Sequence, residues 1–441
     1  MPFLKLADLL YFIIPCTITL ASSVASGESI DIPPSSSKIE IIDLVKEFEP
    51  GPVGLDGGTL PSDFEYQLGN IPSENIDLWN RIRKGFAIPD LNNPLVSTQT
   101  TWYTVRPEYI YRISKRASRY LFHVVQELEK RKMPSEIALL PFIESAFNPQ
   151  AFSSAKAAGM WQFIPSTGSY YNLKQNVFRD ERRDVLASTG AALNYLQKLH
   201  KRFGDWQLAL AAYNWGEGSV SRAIAKAEAS GLPTDFNGLS TFMPIETRNY
   251  YPKLQAIKNI IASPSQYGIK LPTVDNQPYF VSINKSRDID VTLAAQLAEL
   301  PMEEFRALNP QFNRPVITGS PTTQILLPES NAEKFKENLS KWTKSLSSWT
   351  VHKVTASRER IEIIASNFKT TPEIIRAANS IPLAMHPKAG STVIVPKLIT
   401  SPEKDIGQEI ADNAILSFEA DKPHRRKSSI KNHKPQTRVR R

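Results

Sequence analysis

Glu144 is the residue in this 441-residue chain whose placement most demands a chemical explanation. Pro134 and Ser135 predict the start of a helix that carries Ile137, Leu140 and Glu144 at spacings of three and four. The carboxyl group therefore falls on the apolar face of its own helix. A carboxylate among hydrocarbon is costly unless partnered or protonated. Desolvation favours the neutral acid and moves its pKa toward the roughly 6–7 that suits a general acid at neutral pH. Pro141 donates no backbone hydrogen bond and predicts a kink in this helix. Taken alone, a buried glutamate is more often a helix cap or an arginine's partner.

Three other segments have compositions that suit a sugar groove. Gly159-Met160-Trp161-Gln162 sets a residue without a side chain before a flexible thioether, a large aromatic and an amide. Ring faces stack on sugars and amides read hydroxyl and N-acetyl groups. Tyr213-Asn214-Trp215-Gly216 ends a helical stripe with another phenol, amide and indole. Glu246-Thr247-Arg248-Asn249-Tyr250-Tyr251 adds a second carboxylate, a guanidinium and two phenols. Trp215 and Tyr250 also suit a core, and Glu246–Arg248 a structural ion pair.

Together these segments resemble the catalytic domain of lytic murein transglycosylases, a lysozyme-like helical fold. The resemblance covers residues of about 100–262 and rests on four motifs in order: Glu144-Ser145; Gly159-Met160-Trp161-Gln162-Phe163-Ile164-Pro165; Ala212-Tyr213-Asn214-Trp215-Gly216; and Glu246-Thr247-Arg248-Asn249-Tyr250. It implies that Glu144 is the catalytic acid/base. It further implies that Ser153 contacts the substrate's N-acetyl or lactyl region, and that Met160 and Gln162 lie in the groove beside the scissile bond. Tyr213 and Asn214 would line the site near the carboxylate, with Glu246 and Tyr250 in support. The implied substrate is the peptidoglycan glycan strand and the implied product a 1,6-anhydro sugar, with no cofactor and the chain acting as a monomer. Two rivals remain open. One is a lysozyme-type hydrolase in which Glu246 or Asp205 holds a water; the other is a non-catalytic wall-binding protein.

The elements that must position these groups are helical. Tyr109, Ile113, Ala117, Leu121, Val124 and Leu128 recur at helical spacing after Pro107. Leu186, Leu193, Leu196 and Leu199 form a second stripe broken by Gly204, and a third runs from Trp206 to Gly216. After Pro264 two segments repeat at an offset of about 70 residues. Phe305-Arg306-Ala307-Leu308-Asn309 matches Ile375-Arg376-Ala377-Ala378-Asn379. Each lies in the order strand, helix, helix, strand, a small α+β unit with too little core to do chemistry well. The units are similar to LysM modules, which bind N-acetylglucosamine-containing glycans. Ser286-Arg287-Asp288-Ile289 and Ala356-Ser357-Arg358-Glu359 stand where such modules usually carry a Gly-Asp-Thr-Leu turn.

The expected class is thus mainly α, a lysozyme-like helical domain followed by two βααβ modules. Expected boundaries are an export signal at 1–25, a linker and helical arm at 26–99, and the catalytic domain at 100–262. A degenerate LysM-like module follows at 276–330, a second module at 348–398 and a basic disordered tail at 399–441. The signal reading rests on Lys5, the apolar run Leu9 to Leu20 and the small residues Ser23-Val24-Ala25. It predicts a periplasmic protein, membrane-anchored if the signal is retained. Pro15 before Cys16, the sole cysteine, argues against lipid attachment. The net charge of +9 is carried by the nine Lys and Arg of residues 422–441; subtracting them from 53 leaves 44, equal to the 44 acids. A nucleic-acid-binding face is therefore not expected, and the basic arm suits anionic envelope surfaces. No metal or nucleotide site is legible.

Overall fold

A computed structural model describes residues 77–285, 287–319, 323–355, 359–398 and 404–420. The expected export signal, the Ser/Pro/Gly-rich residues up to 76 and the basic residues 422–441 lie outside the described residues. The architecture is mainly helical up to Ala262, with small two-stranded sheets confined to the C-terminal part.

The packed helical core takes in residues expected to form a separate arm. Asp77 caps the helix Leu78–Lys84 by accepting the Trp79 amide hydrogen bond. Leu78, Trp79 and Ile82 are buried in the same core as the helices that follow. The Trp79 indole donates to the Pro272 carbonyl at 2.8 Å, and Arg83 Nε to that of Ile261 at 2.7 Å. A boundary at residue 99 would also cut the helix Pro94–Thr104, which lies along the helix Ile245–Ala262. Residues 77–99 thus pack into the same helical core as the helices that follow, because Leu78, Trp79, Ile82, Ile88 and Leu91 bury their apolar side chains there.

The stripe from Tyr109 to Leu128 is shared by two helices, Pro107–Ala117 and Leu121–Lys130. Asp184 caps Val185–Phe203 by accepting from the amides of Leu186 and Ala187, and Gly204 ends it at φ 69°. Asp205 then caps Trp206–Trp215. The expected helix from Pro134 through Glu144 is instead a 3-10 turn, Ser135–Leu139, running into a short α-helix, Leu140–Glu144. Pro141 sits in the first turn of that helix, where the missing N–H has no intrahelical partner to lose, so it starts a helix instead of kinking one.

In the first C-terminal unit Val281–Lys285 pairs antiparallel with Thr323–Leu327; in the second Trp349–Lys353 pairs with Thr392–Pro396. One asparagine performs the same task in each. Asn309 Nδ2 donates to the carbonyls of Phe305 and Leu326, while its Oδ1 accepts from the Leu326 amide. Asn379 repeats this set with Ile375 and Ile394. Each stitches the end of a helix to the closing strand. A further helix, Glu329–Lys341, buries Ala332 and Phe335 against the first unit.

Order also continues past the expected start of the tail. Residues 404–420 contain a helix, Gln408–Asp412, and a strand, Phe418–Ala420, paired with Met385–Pro387. Ile406, Ala411 and Ala414 are buried with Val177, Phe178 and Ile394. The segment is not basic, Lys404 being its one cation, and it has apolar side chains to bury. The expectation of a disordered tail from residue 399 is corrected for 404–420 on that ground.

Candidate active site

Glu144 occupies the last position of its short helix and is 8% exposed. Directly after it the chain reverses: Ala146 and Phe147 take φ of 50° and 55°, a left-handed conformation that costs free energy in non-glycine residues. Packing holds the reversal. The Phe147 amide donates to the Pro141 carbonyl at 3.0 Å, and its ring is fully buried against Phe142 and Tyr120. Arg116 Nη1 donates to the Ala146 carbonyl at 2.6 Å. The arginine thus braces the turn and leaves the carboxylate alone.

The carboxylate's partner is the phenol of Tyr250, which donates to Glu144 Oε1. Burial pushes the Glu144 pKa up to about 7; the Tyr250 hydrogen bond acts against that shift and the nearby charge of Glu246 reinforces it. Burial, with the Glu144 charge second, raises the Tyr250 phenol well above its ordinary range, so it stays a donor. The acid is therefore poised between its two protonation states near neutrality.

The groove motif meets this residue from the other side. Ser145 Oγ donates to the Met160 carbonyl at 2.9 Å. Gly159, at φ 82°, packs so closely that a Cβ there would sit 2.0 Å from the Arg182 carbonyl oxygen. Gln162, also left-handed at φ 53°, returns Nε2 to the Gly159 carbonyl at 2.7 Å. Its buried Oε1 has no hydrogen-bond partner among the described residues. The Tyr213 hydroxyl donates to the Trp161 carbonyl at 2.8 Å, and the Trp161 indole to Thr189 Oγ1 at 3.0 Å. Ser153 is buried and accepts from the Ala157 amide at 3.0 Å.

The last two motifs lock together through Asn214. Its Nδ2 donates to Glu246 at 3.3 Å, and its Oδ1 accepts from Thr247 Oγ1 at 2.7 Å. Glu246, Thr247 and Tyr250 share one face of a helix, a spacing visible in the sequence, but Thr247 and the direct Tyr250–Glu144 bond were not read from it. Asp205, one of the two acids considered for holding a water, is spent on the Leu208 amide at 2.7 Å as a helix cap.

Residues 124–233 match the transglycosylase SLT domain. The chain carries an SLT transglycosylase domain. Glu144, Ser153, Met160, Gln162, Tyr213 and Asn214 fall within the matched span, whereas Glu246 and Tyr250 lie beyond its end. Residues 279–344 match the LysM-like domain of lytic transglycosylase MltD, a span that takes in the first C-terminal unit and the helix behind it. Membrane-bound lytic murein transglycosylase D of Escherichia coli strain K12 is 38% identical over 265 residues, 60% of this chain and 58% of the relative. The protein of that name from Escherichia coli O6:H1 gives the same figures. The chain thus matches a little over half the length of these relatives. The four motifs, three inside the matched span and one beyond it, converge around one buried acid, which neither their order nor their spacing could establish.

Proposed function

We propose that this chain is a lytic transglycosylase of peptidoglycan, acting in cell-wall turnover and cutting the β-1,4 bond between N-acetylmuramic acid and N-acetylglucosamine. The observation that carries the reading is the buried Glu144, with its pKa near 7, held by a single phenol inside an SLT domain. Protonated Glu144 donates its proton to the bridging oxygen as the bond to C1 breaks. The substrate's acetamido oxygen shields the positive charge developing at C1. Ionised Glu144 then takes the proton of the C6 hydroxyl while that oxygen bonds to C1, closing a 1,6-anhydro ring. One carboxyl group serves twice, and the tethered hydroxyl has the high effective concentration that makes a second enzyme carboxylate unnecessary. Gln162 Oε1, buried and unpartnered, is suited to accept a hydrogen bond from the sugar. Met160, Tyr213 and Asn214 frame the groove, Ser153 meets the N-acetyl or lactyl region, and Glu246 with Tyr250 sets the acidity of Glu144.

Mass spectrometry of digested sacculi tests this. Wild type should release anhydro-ended muropeptides and Glu144→Gln essentially none. A second reading keeps the same acid but uses water, and the charge of Glu246 felt by Glu144 favours that carboxylate as the group holding it. It predicts reducing ends heavier by one water. A variant Glu144→Gln with full function would instead indicate a binding protein.

The chain acts in the bacterial envelope, exported by residues 1–25, as a monomer held near the wall by its LysM-like units and its basic C-terminal residues. Deleting residues 422–441 should weaken envelope association at low salt; unchanged association would remove the tail from this account.

A further inference from the structure

Where the SLT domain meets both C-terminal units, the chain encloses a cleft of about 540 Å³. Three guanidinium groups line it, from Arg183, Arg306 and Arg314, and among the described residues no acidic side chain does. We propose that this cleft binds the acidic peptide stem of peptidoglycan, an inference that rests on the wall-directed reading above.

Among the described residues no carboxylate forms a salt bridge with any of the three. Arg314 Nε donates to the Val177 carbonyl at 2.9 Å, and Arg183 donates to the Asn313 side chain; both partners are neutral. Asp180, whose charge Arg183 feels, is already held by Arg182 at 2.7 Å. Arg183 and Arg314 are both partly buried, and burial pulls both below the ordinary arginine range. Desolvated cations without an anion are unfavourable, and planar guanidinium forks match carboxylates. The second unit contributes an apolar side, Trp349, Ile374 and Ala377, while Gln150, Thr292, Asn309 and Asn313 add neutral polar groups. Carboxylates flanked by small methyl groups fit such a wall, and peptidoglycan stems carry carboxylate-bearing residues flanked by alanines. A phosphate would leave the apolar side unused, and a neutral glycan would leave the arginines unpaired.

Backbone pairing also joins the cleft to the reacting centre. Arg179 and Phe312 form an antiparallel bridge between the SLT domain and the first unit, flanked by Asp180 N–H to Gln311 O at 2.9 Å and Asn313 N–H to Phe178 O at 2.8 Å. The Arg182–Arg183 backbone abuts Gly159, the first residue of the groove motif. Gln150, on the cleft wall, follows Glu144 by six residues. A stem bound here is thus held at a fixed offset from the bond to be cut.

Calorimetric titration of the full chain carrying Glu144→Gln tests the proposal. The probe is the free stem peptide L-Ala-γ-D-Glu-meso-diaminopimelate-D-Ala. Binding should weaken at least tenfold when its carboxyls are amidated and at least fivefold in Arg306→Glu, whose exposed side chain braces nothing. Equal affinity for the amidated peptide, or no effect of Arg306→Glu, would overturn it. So would displacement by equimolar inorganic phosphate, the mark of a general anion site, or by equimolar chitotetraose, the mark of a sugar groove. Failure here with anhydro products still released by wild type leaves the transglycosylase reading standing. Binding without such products sinks that reading instead.

Discussion

Tyr250 donates its phenol hydrogen bond to Glu144 across 106 positions of sequence, joining the first chemical motif to the last. The bond opposes the burial that raises the acid's pKa, so the phenol sets how much of Glu144 is ionised at neutral pH.

Replacing Tyr250 with Phe removes a donor that favours the carboxylate, and the Glu144 pKa rises above about 7. Because Glu144 must begin protonated, activity falls as pH climbs through its pKa, and that alkaline limb should move to higher pH in Tyr250→Phe. The rate should fall by roughly 10–100-fold, since the re-ionised acid becomes a more basic but poorly oriented group. A pH–rate profile on sacculi checks both; a limb displaced to lower pH would contradict the assigned role.

Glu144 also ties stability to pH. Its pKa rises from an ordinary 4.5 to about 7 on folding, so between those values the native state holds more protons than the unfolded chain. The contribution is fully present below pH 4.5 and lost as pH rises to about 7. The ionised residue should cost about 3 kcal/mol at pH 8 relative to a neutral one. Glu144→Gln should therefore melt several degrees above wild type at pH 8, with the gap closing by pH 5. Thermal unfolding at the two pH values measures it, and equal melting points throughout would refute the buried placement.

Gly159→Ala places a Cβ 2.0 Å from the Arg182 carbonyl at a left-handed φ. Backbone on both sides must move, which should destabilise by about 3 kcal/mol or more. Urea unfolding would report it, together with loss of activity through displacement of Met160 and Gln162.

Asn309→Ala and Asn379→Ala each leave strand and helix backbone groups without partners, at about 1–3 kcal/mol per buried group. Hydrogen exchange should quicken at Leu326 in the first variant and at Ile394 in the second. Exchange unaltered at those amides would mean the asparagines are not the stitches described.

The sequence alone was sufficient for the buried acid, the four motifs, the helical class and the duplicated C-terminal unit. Each rests on short-range regularities: apolar spacing, a Gly opening a groove motif, a pentapeptide repeated about 70 residues on. It misplaced two boundaries, at residues 99 and 399. Trp79 and Ile406 find their cores only through partners distant in the chain, and basic composition after residue 421 was extended backward over a segment that is not basic. The short helix at Leu140–Glu144 escaped too, because Pro141 fits equally a kink and a first turn until the 3-10 segment before it is seen.

Tertiary structure alone decided which groups touch Glu144, that Asp205 is a cap, and that three arginines from separate segments face one cleft. The physical reason is range. Periodicity and turn chemistry act over a few residues and are written locally. A carboxyl's pKa and a cation's missing counter-ion are set by whatever the folded chain brings within a few ångströms, from any distance along it.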